Sequence, residues 1–281
     1  MRQILLPTDF SKNAWNAITY AIQLFKDEAC TFHILNVYTP IIYHLEYVVG
    51  YPEQFGLVDA VRDTSKRHLE ETLTKIRTTL NLYEGHEFKT YSKFDTVHAG
   101  IKTAVEDLNI DLIIMGTKGA TGAKEVLFGS NTVHLFNAIN CPILAIPSQF
   151  TFEAPHELLF PTDLELNYEA VPLQVLKHIV EKNHARLNIM HVSTGYELTE
   201  KQEQNKATLA AQFKNLAYLY HDIQHNEIPK AINEFQVKHK IDLLVMINNK
   251  HSFFENLFFK KTLHQIGFHL NVPFLVLPSA L

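Results

Sequence analysis

The tripeptide Pro-Thr-Asp stands at two places in this chain, Pro7-Thr8-Asp9 and Pro161-Thr162-Asp163, each time directly behind an apolar run. Those runs are Ile4-Leu5-Leu6 and Leu158-Leu159-Phe160, and a helical pattern follows both. Two further matches keep the same order. Asp111-Leu112-Ile113-Ile114-Met115 is answered by Asp242-Leu243-Leu244-Val245-Met246. Cys141-Pro142-Ile143-Leu144-Ala145-Ile146-Pro147 is answered by Val272-Pro273-Phe274-Leu275-Val276-Leu277-Pro278. Apolar strands resemble one another by chance, but chance would not repeat Pro-Thr-Asp in register. The pattern is that of a duplicated unit. It predicts domains at 1–148 and 155–281, joined by a short polar, proline-bearing link. The 281 residues suffice for two domains of ordinary size.

Within the first unit, short runs rich in branched residues, such as Leu112 to Met115, do not alternate and read as buried parallel strands. The others are Ile4–Leu6, Thr31–Val37, His86–Phe94 and Ile143–Ile146. Between them apolar residues recur at three and four: Ala14, Ala17, Ile18, Ala21, Ile22 and Phe25, then Val61, Leu69, Leu73, Ile76 and Leu80, then Val97, Ile101, Ala104, Val105 and Leu108. Ser11 is the expected N-cap of the first helix. Residues 40–56 form an aromatic, irregular insert, read as a packed loop with a contact or lid as the other option. Strands alternating with helices predict an α/β fold: two tandem doubly wound, five-stranded parallel sheets of the Rossmann-like kind. Ligands of such sheets sit outside the carboxyl ends of the strands, where strand order reverses. That rule brings Pro7-Thr8-Asp9 and the loop after strand four into one crevice.

The loop itself is rich in glycine. Strand four stops at Gly116, Gly119 follows, and Gly129-Ser130 stand just before a helical pattern (Val133, Phe136, Asn137). Glycine lets the backbone approach a ligand closely, and a helix start offers unpaired N–H groups and the positive end of its dipole. It is neither a Walker A loop, since Lys124 lacks a following Ser or Thr, nor a dinucleotide fingerprint. The spacing Gly-x2-Gly-x9-Gly-Ser, with Asn131-Thr132 behind it, resembles the nucleotide-binding motif of the universal stress protein family.

The resemblance implies a fold like that of the adenine nucleotide alpha hydrolases and ATP as ligand, with Mg2+ or Mn2+ as candidate counter-ion on the phosphates. Carried over by position, Pro7, Thr8, Asp9 and Val37 would line the base side. Met115, Gly116 and Gly119 would line the ribose and first phosphates, and Gly129, Ser130 and Asn131 the outer ones. Lys118 and Lys124 would supply counter-charge, although loop lysines are more often simply solvated. Asp9 has a second reading as the residue that turns the chain into the first helix. One departure from the family is Phe94-Asp95-Thr96-Val97, where relatives usually carry a glycine before the third helix.

The second unit keeps the strand pattern and loses the glycines. Ile247 and Lys250 stand where Gly116 and Gly119 do, and Phe259-Lys260 or Lys260-Lys261 face Gly129-Ser130. Non-glycine residues in left-handed backbone cost about 1–2 kcal/mol each. Nucleotide is therefore expected in the N-terminal domain alone. Pro172, at the position of Ile18, predicts a first helix that starts late or kinks. Family members commonly dimerise through the last strand. A tandem chain would make that contact internally, Ile143–Ile146 near Phe274–Leu277, with a homodimer of chains as a further option.

A net charge of −5 offers no footprint for nucleic acid, and no apolar run approaches the length of a membrane span. Two cysteines make no disulfide framework, so a reducing cytoplasm is the expected compartment. Cys30 is read in a polar turn and Cys141 at a strand start, neither with a basic partner that would activate a thiol. His221 and His225 have zinc-like spacing on a helix, but the stretch reads as a strand, where four residues span more than about 13 Å. No G-x-S-x-G elbow is present. The favoured reading is an ATP-binding protein of stress response or signalling, more a binder than an enzyme. The alternatives are a slow ATPase or self-phosphorylation at Ser130 or Thr132, and a nucleotide-free interaction scaffold.

Overall fold

The computed structural model describes residues 1–39, 57–117, 130–193, 195, 197–225, 227–248 and 272–279. The insert at 40–56 and the loop from Lys118 to Gly129 lie outside the described residues.

In the first half the strands are β1 (Arg2–Pro7), β2 (Cys30–Tyr38), β3 (His86–Phe94), β4 (Leu112–Gly116) and β5 (Ile143–Ile146). The helices between them are α1 (Lys12–Leu24), α2 (Leu57–Thr79), α3 (Val97–Asp107) and α4 (Ser130–Ala138). The second half repeats this with β6 (Glu157–Thr162), α5 (Gln174–Lys182), β7 (Arg186–Ser193), α6 (Glu200–Phe213), β8 (Tyr218–Gln224), α7 (Ile228–His239), β9 (Leu243–Asn248) and β10 (Phe274–Pro278). All ten strands belong to one sheet, in the order β3-β2-β1-β4-β5-β10-β9-β6-β7-β8. Each half is parallel throughout and doubly wound, with strand order reversing between β1 and β4 and between β6 and β9.

The halves meet where β5 and β10 run antiparallel, Leu275 opposite Leu144, Phe274 opposite Ala145 and Val276 opposite Ile143. Every residue of β5 is buried and so is every residue of β10, which removes two apolar edges that would otherwise invite aggregation. One apolar cluster on each face of the sheet draws residues from both halves.

The duplication extends to hydrogen bonds. Thr8 Oγ1 accepts from Phe10 N–H and Asp9 Oδ1 from Ser11 N–H; Thr162 Oγ1 accepts from Leu164 N–H and Asp163 Oδ1 from Glu165 N–H. Phe10 and Leu164 both take left-handed backbone, φ 62° and 60°. Likewise Asp111 Oδ2 accepts from Gln3 N–H, and Asp242 Oδ2 from Glu157 N–H. These side-chain acceptors hold a backbone that would by itself cost about 1–3 kcal/mol at a non-glycine residue.

The first helices of the two halves differ. Ser11 caps α1 by accepting from Ala14 N–H. In the second half Pro172 precedes a helix that starts only at Gln174, without a side-chain cap, and runs 9 residues against 13. The lost turns are replaced by the wholly buried Tyr168 and by Leu164 and Leu173.

Glu28, in the turn between α1 and β2, reaches α5 of the other half. Its carboxylate lies 2.7 Å from both His178 Nε2 and Lys182 Nζ. Burial alone would raise its pKa, but the hydrogen bonds and charges of Lys182 and His178 outweigh that and hold it below the ordinary value. A carboxylate so depressed stabilises the fold above the ordinary carboxylate range, and that contribution is lost as pH falls through the depressed value. Glu28→Gln is expected to cost about 1–2 kcal/mol at neutral pH, with the deficit closing below about pH 4. Urea titration of both proteins across pH checks this; a deficit independent of pH would contradict the charge assignment.

Candidate functional site

The carboxyl end of β1 turns sharply into α1. Thr8 is buried, its N–H donating to Leu35 O at 2.8 Å, while Asp9 is exposed. The Thr8 carbonyl accepts from Asn36 Nδ2 at 2.8 Å. Behind Asn36 the chain of hydrogen bonds continues: Ser65 Oγ donates to Asn36 Oδ1 at 2.7 Å, and Ser92 Oγ donates to Ser65 Oγ at 2.7 Å. A buried relay thus fixes the Pro7–Asp9 turn to β2, α2 and β3. One residue beyond Asn36, Val37 points to the opposite face and supports α3. A Cβ added at Gly100 would lie 2.8 Å from Val37 Cγ2, so only glycine lets α3 pack this close.

β4, which neighbours β1, brings Met115 and Gly116 to the same end of the sheet. Gly116 has no left-handed backbone; what it supplies is space. A Cβ there would lie 3.1 Å from Asn13 O and 3.2 Å from Asn13 C, backbone atoms of the first turn of α1. Its counterpart Ile247 is 3% exposed, and α5, which starts only at Gln174, lacks the early turns that α1 has. Gly116→Ala is therefore expected to lower stability by about 1–3 kcal/mol through displacement of α1. Thermal melting checks this, and an unchanged midpoint would show that α1 moves freely.

α4 opens at Ser130 above this strand end, and Thr132 Oγ1 lies 3.5 Å from Gly116 O. The positive end of its dipole therefore sits next to the ends of β1 and β4. Of the residues singled out from sequence, Pro7, Thr8, Asp9, Val37, Met115 and Gly116 gather along the carboxyl ends of β1, β2 and β4, with the backbone of Ser130 and Asn131 opening α4. Lys118, Gly119 and Gly129, together with Lys124, lie outside the described residues. The sequence reading missed Asn36, Ser65 and Gly100. Ser65 had a signal: it falls on the apolar stripe of α2, four residues from both Val61 and Leu69, and is 4% exposed.

Other chemistry finds no support at the described positions. Cys30 opens β2 and is fully buried, rather than lying in a polar turn. Burial pushes its thiol up to about 11, and that of Cys141 up to about 12, which holds both protonated at neutral pH. His221 Nε2 pairs with Asn188 Oδ1 at 3.0 Å, and His225 Nδ1 accepts from Glu227 N–H. Among the described residues no group of His, Cys, Asp or Glu is arranged to hold a metal ion, and no helix is long and apolar enough to cross a membrane.

The fold defines a doubly wound α/β protein whose strand order reverses between β1 and β4, the place where such sheets bind ligands. The sequence pattern of the universal stress protein family matches residues 1–147. This chain belongs to that family. It is 29% identical over 155 residues to universal stress protein MJ0577 of Methanocaldococcus jannaschii, covering 52% of this chain and 94% of that one. It is 26% identical over 156 residues to universal stress protein YxiE of Bacillus subtilis, covering 51% and 97%. A crystal structure of a universal stress protein from Archaeoglobus fulgidus matches 99% of this chain and 96% of its own, with TM-score 0.69 and 19% identity. At that identity the match speaks for the fold, in this case over both halves.

Proposed function

We propose that this protein binds ATP in the crevice of its N-terminal half and acts through that binding in stress response or signalling. The observation that supports this most is the meeting of three features at adjacent strand ends: the Pro7–Asp9 turn, the side-chain-free end of β4 at Gly116, and the start of α4 at Ser130. The motif Gly-x2-Gly-x9-Gly-Ser is the sequence that links the last two. Thr8, Asp9 and Val37 would take the base side, Met115, Gly116 and Gly119 the ribose and first phosphates, and Gly129, Ser130 and Asn131 the outer phosphates. Lys118 would add counter-charge, and a divalent cation on the phosphates would be held by ATP oxygens as much as by the protein. Hydrogen bonds to a charged phosphate contribute about 1.5–3 kcal/mol each, and the helix dipole about 0.3–1 kcal/mol.

The second half would not bind nucleotide, since Ile247 fills the position of Gly116 and no glycine stands at the others. Binding rather than hydrolysis is favoured, because no general base is recognisable for the γ-phosphate. Incubation with labelled ATP separates the two: retained intact ATP supports binding, and released phosphate or labelled Ser130 or Thr132 supports an enzyme. Gly129→Tyr is expected to lower ATP affinity by about 100-fold or more, with the far-ultraviolet circular dichroism spectrum unchanged. Calorimetry checks it, and undiminished affinity would contradict the proposed site.

A further inference from the structure

We propose that the second half carries a separate ligand site, a cavity at the carboxyl ends of β6 and β7 that takes a small organic cation with an apolar body. The cavity has a volume of about 350 Å³. Met190, Val192 and Leu198 supply apolar wall, and Asp163, His191 and Glu197 supply its charged and polar groups. None of the described lining residues is a lysine or arginine. Glu165, also at the cavity, already has a cation, Lys201, at 3.1 Å. Asp163 has no lysine or arginine partner among the described residues; its Oδ1 accepts the turn N–H of Glu165, and burial pushes its carboxyl above the ordinary value although backbone N–H groups and the nearby His191 pull the other way. A desolvated carboxylate of this kind gains by acquiring a cation.

The buried imidazole points the same way. His191 is 7% exposed and lines the cavity, with Nδ1 at 3.3 Å from Asp222 Oδ1. In the neutral tautomer that donates Nδ1–H to Asp222, Nε2 is an acceptor, which suits an N–H donor of a ligand. In the first half the corresponding residue is Asn36, whose amide is consumed by Thr8 and Ser65. Among the described lining residues an anion would find no lysine or arginine. The start of α6 has its own capping box, which engages two of its N–H groups: Thr199 Oγ1 accepts from Gln202 N–H and Gln202 Oε1 accepts from Thr199 N–H. Gln202 also donates to Asp163 O at 3.1 Å, and Glu200 and Glu203 make the first turn negative. The end of the second half that would correspond to a nucleotide crevice thus has its charge preference reversed.

Three probes that share one body and differ in charge test this on the full chain: phenethylamine, 2-phenylethanol and phenylacetate. Titrations followed by the histidine ring resonances should show phenethylamine binding at least about tenfold more tightly than 2-phenylethanol, with phenylacetate weakest. The His191 signals should shift on binding. Asp163→Asn keeps the turn acceptor and should remove the cation preference while leaving 2-phenylethanol unaffected. Saturating ATP should change none of this, so the outcome is independent of nucleotide binding in the first half. Equal affinities for the three probes, a preference that survives Asp163→Asn, or no binding by phenethylamine below about 5 mM would each overturn the proposal.

Discussion

Leu275→Asp should leave the chain unable to hold its native fold, with a melting midpoint lowered by well over 10 °C or no soluble protein at all. Leu275 is 0% exposed and lies in the middle of the sheet, parallel to Val245 on one side and antiparallel to Leu144 on the other. A carboxyl group there would lie in a buried apolar cluster, and burying it unpaired costs more than about 4 kcal/mol, a large part of the 5–15 kcal/mol by which domains are stable. Leu275→Met, similar in volume, should cost less than about 1.5 kcal/mol. If Leu275→Asp melted within a few degrees of the parent, β10 would not be the shared centre of one sheet.

Asn36→Leu should cost about 2–4 kcal/mol, although the two side chains are nearly equal in size. The amide is 7% exposed and is the middle link between the Thr8 carbonyl and Ser65. Its loss leaves a buried carbonyl without its donor and a buried hydroxyl without its acceptor, each costing about 1–3 kcal/mol. Ser65→Ala removes its bonds to Asn36 Oδ1 and from Ser92 Oγ but keeps the Asn36–Thr8 bond, and should cost about 1–3 kcal/mol. The turn at Thr8 and Asp9 loses its tether in Asn36→Leu, so ATP affinity should fall as well. Urea denaturation and calorimetry read the two effects separately, and a variant as stable as the parent would mean that Thr8 is held by other contacts.

Most of the architecture was legible because the strands are short, branched and bounded by proline or polar residues. Predicted and observed limits coincide for β3 and β5, and differ by one residue at each end of β2. Pro172 announced the late start of α5 through its missing N–H and its clash with the preceding turn. Less legible were effects that depend on which elements lie against each other. The space needed at Gly116 arises from the backbone of Asn13, more than a hundred residues away in sequence. The reading of that glycine as a phosphate contact therefore has a packing reason beside it. Asn36 lies within an otherwise largely apolar run, and nothing in the run says that Ser65 will meet it. The cavity beside Asp163 was hidden for a similar reason, since attention to missing glycines says nothing about how α6 sits over β6 and β7.

The central claim is that the leading half holds one adenine nucleotide and the trailing half holds none. Titration of the intact, nucleotide-stripped chain with ATP in the presence of Mg2+ tests it most directly. The account predicts one ATP bound per chain, abolished by Gly129→Tyr; a stoichiometry of two, or no binding at all, would contradict it.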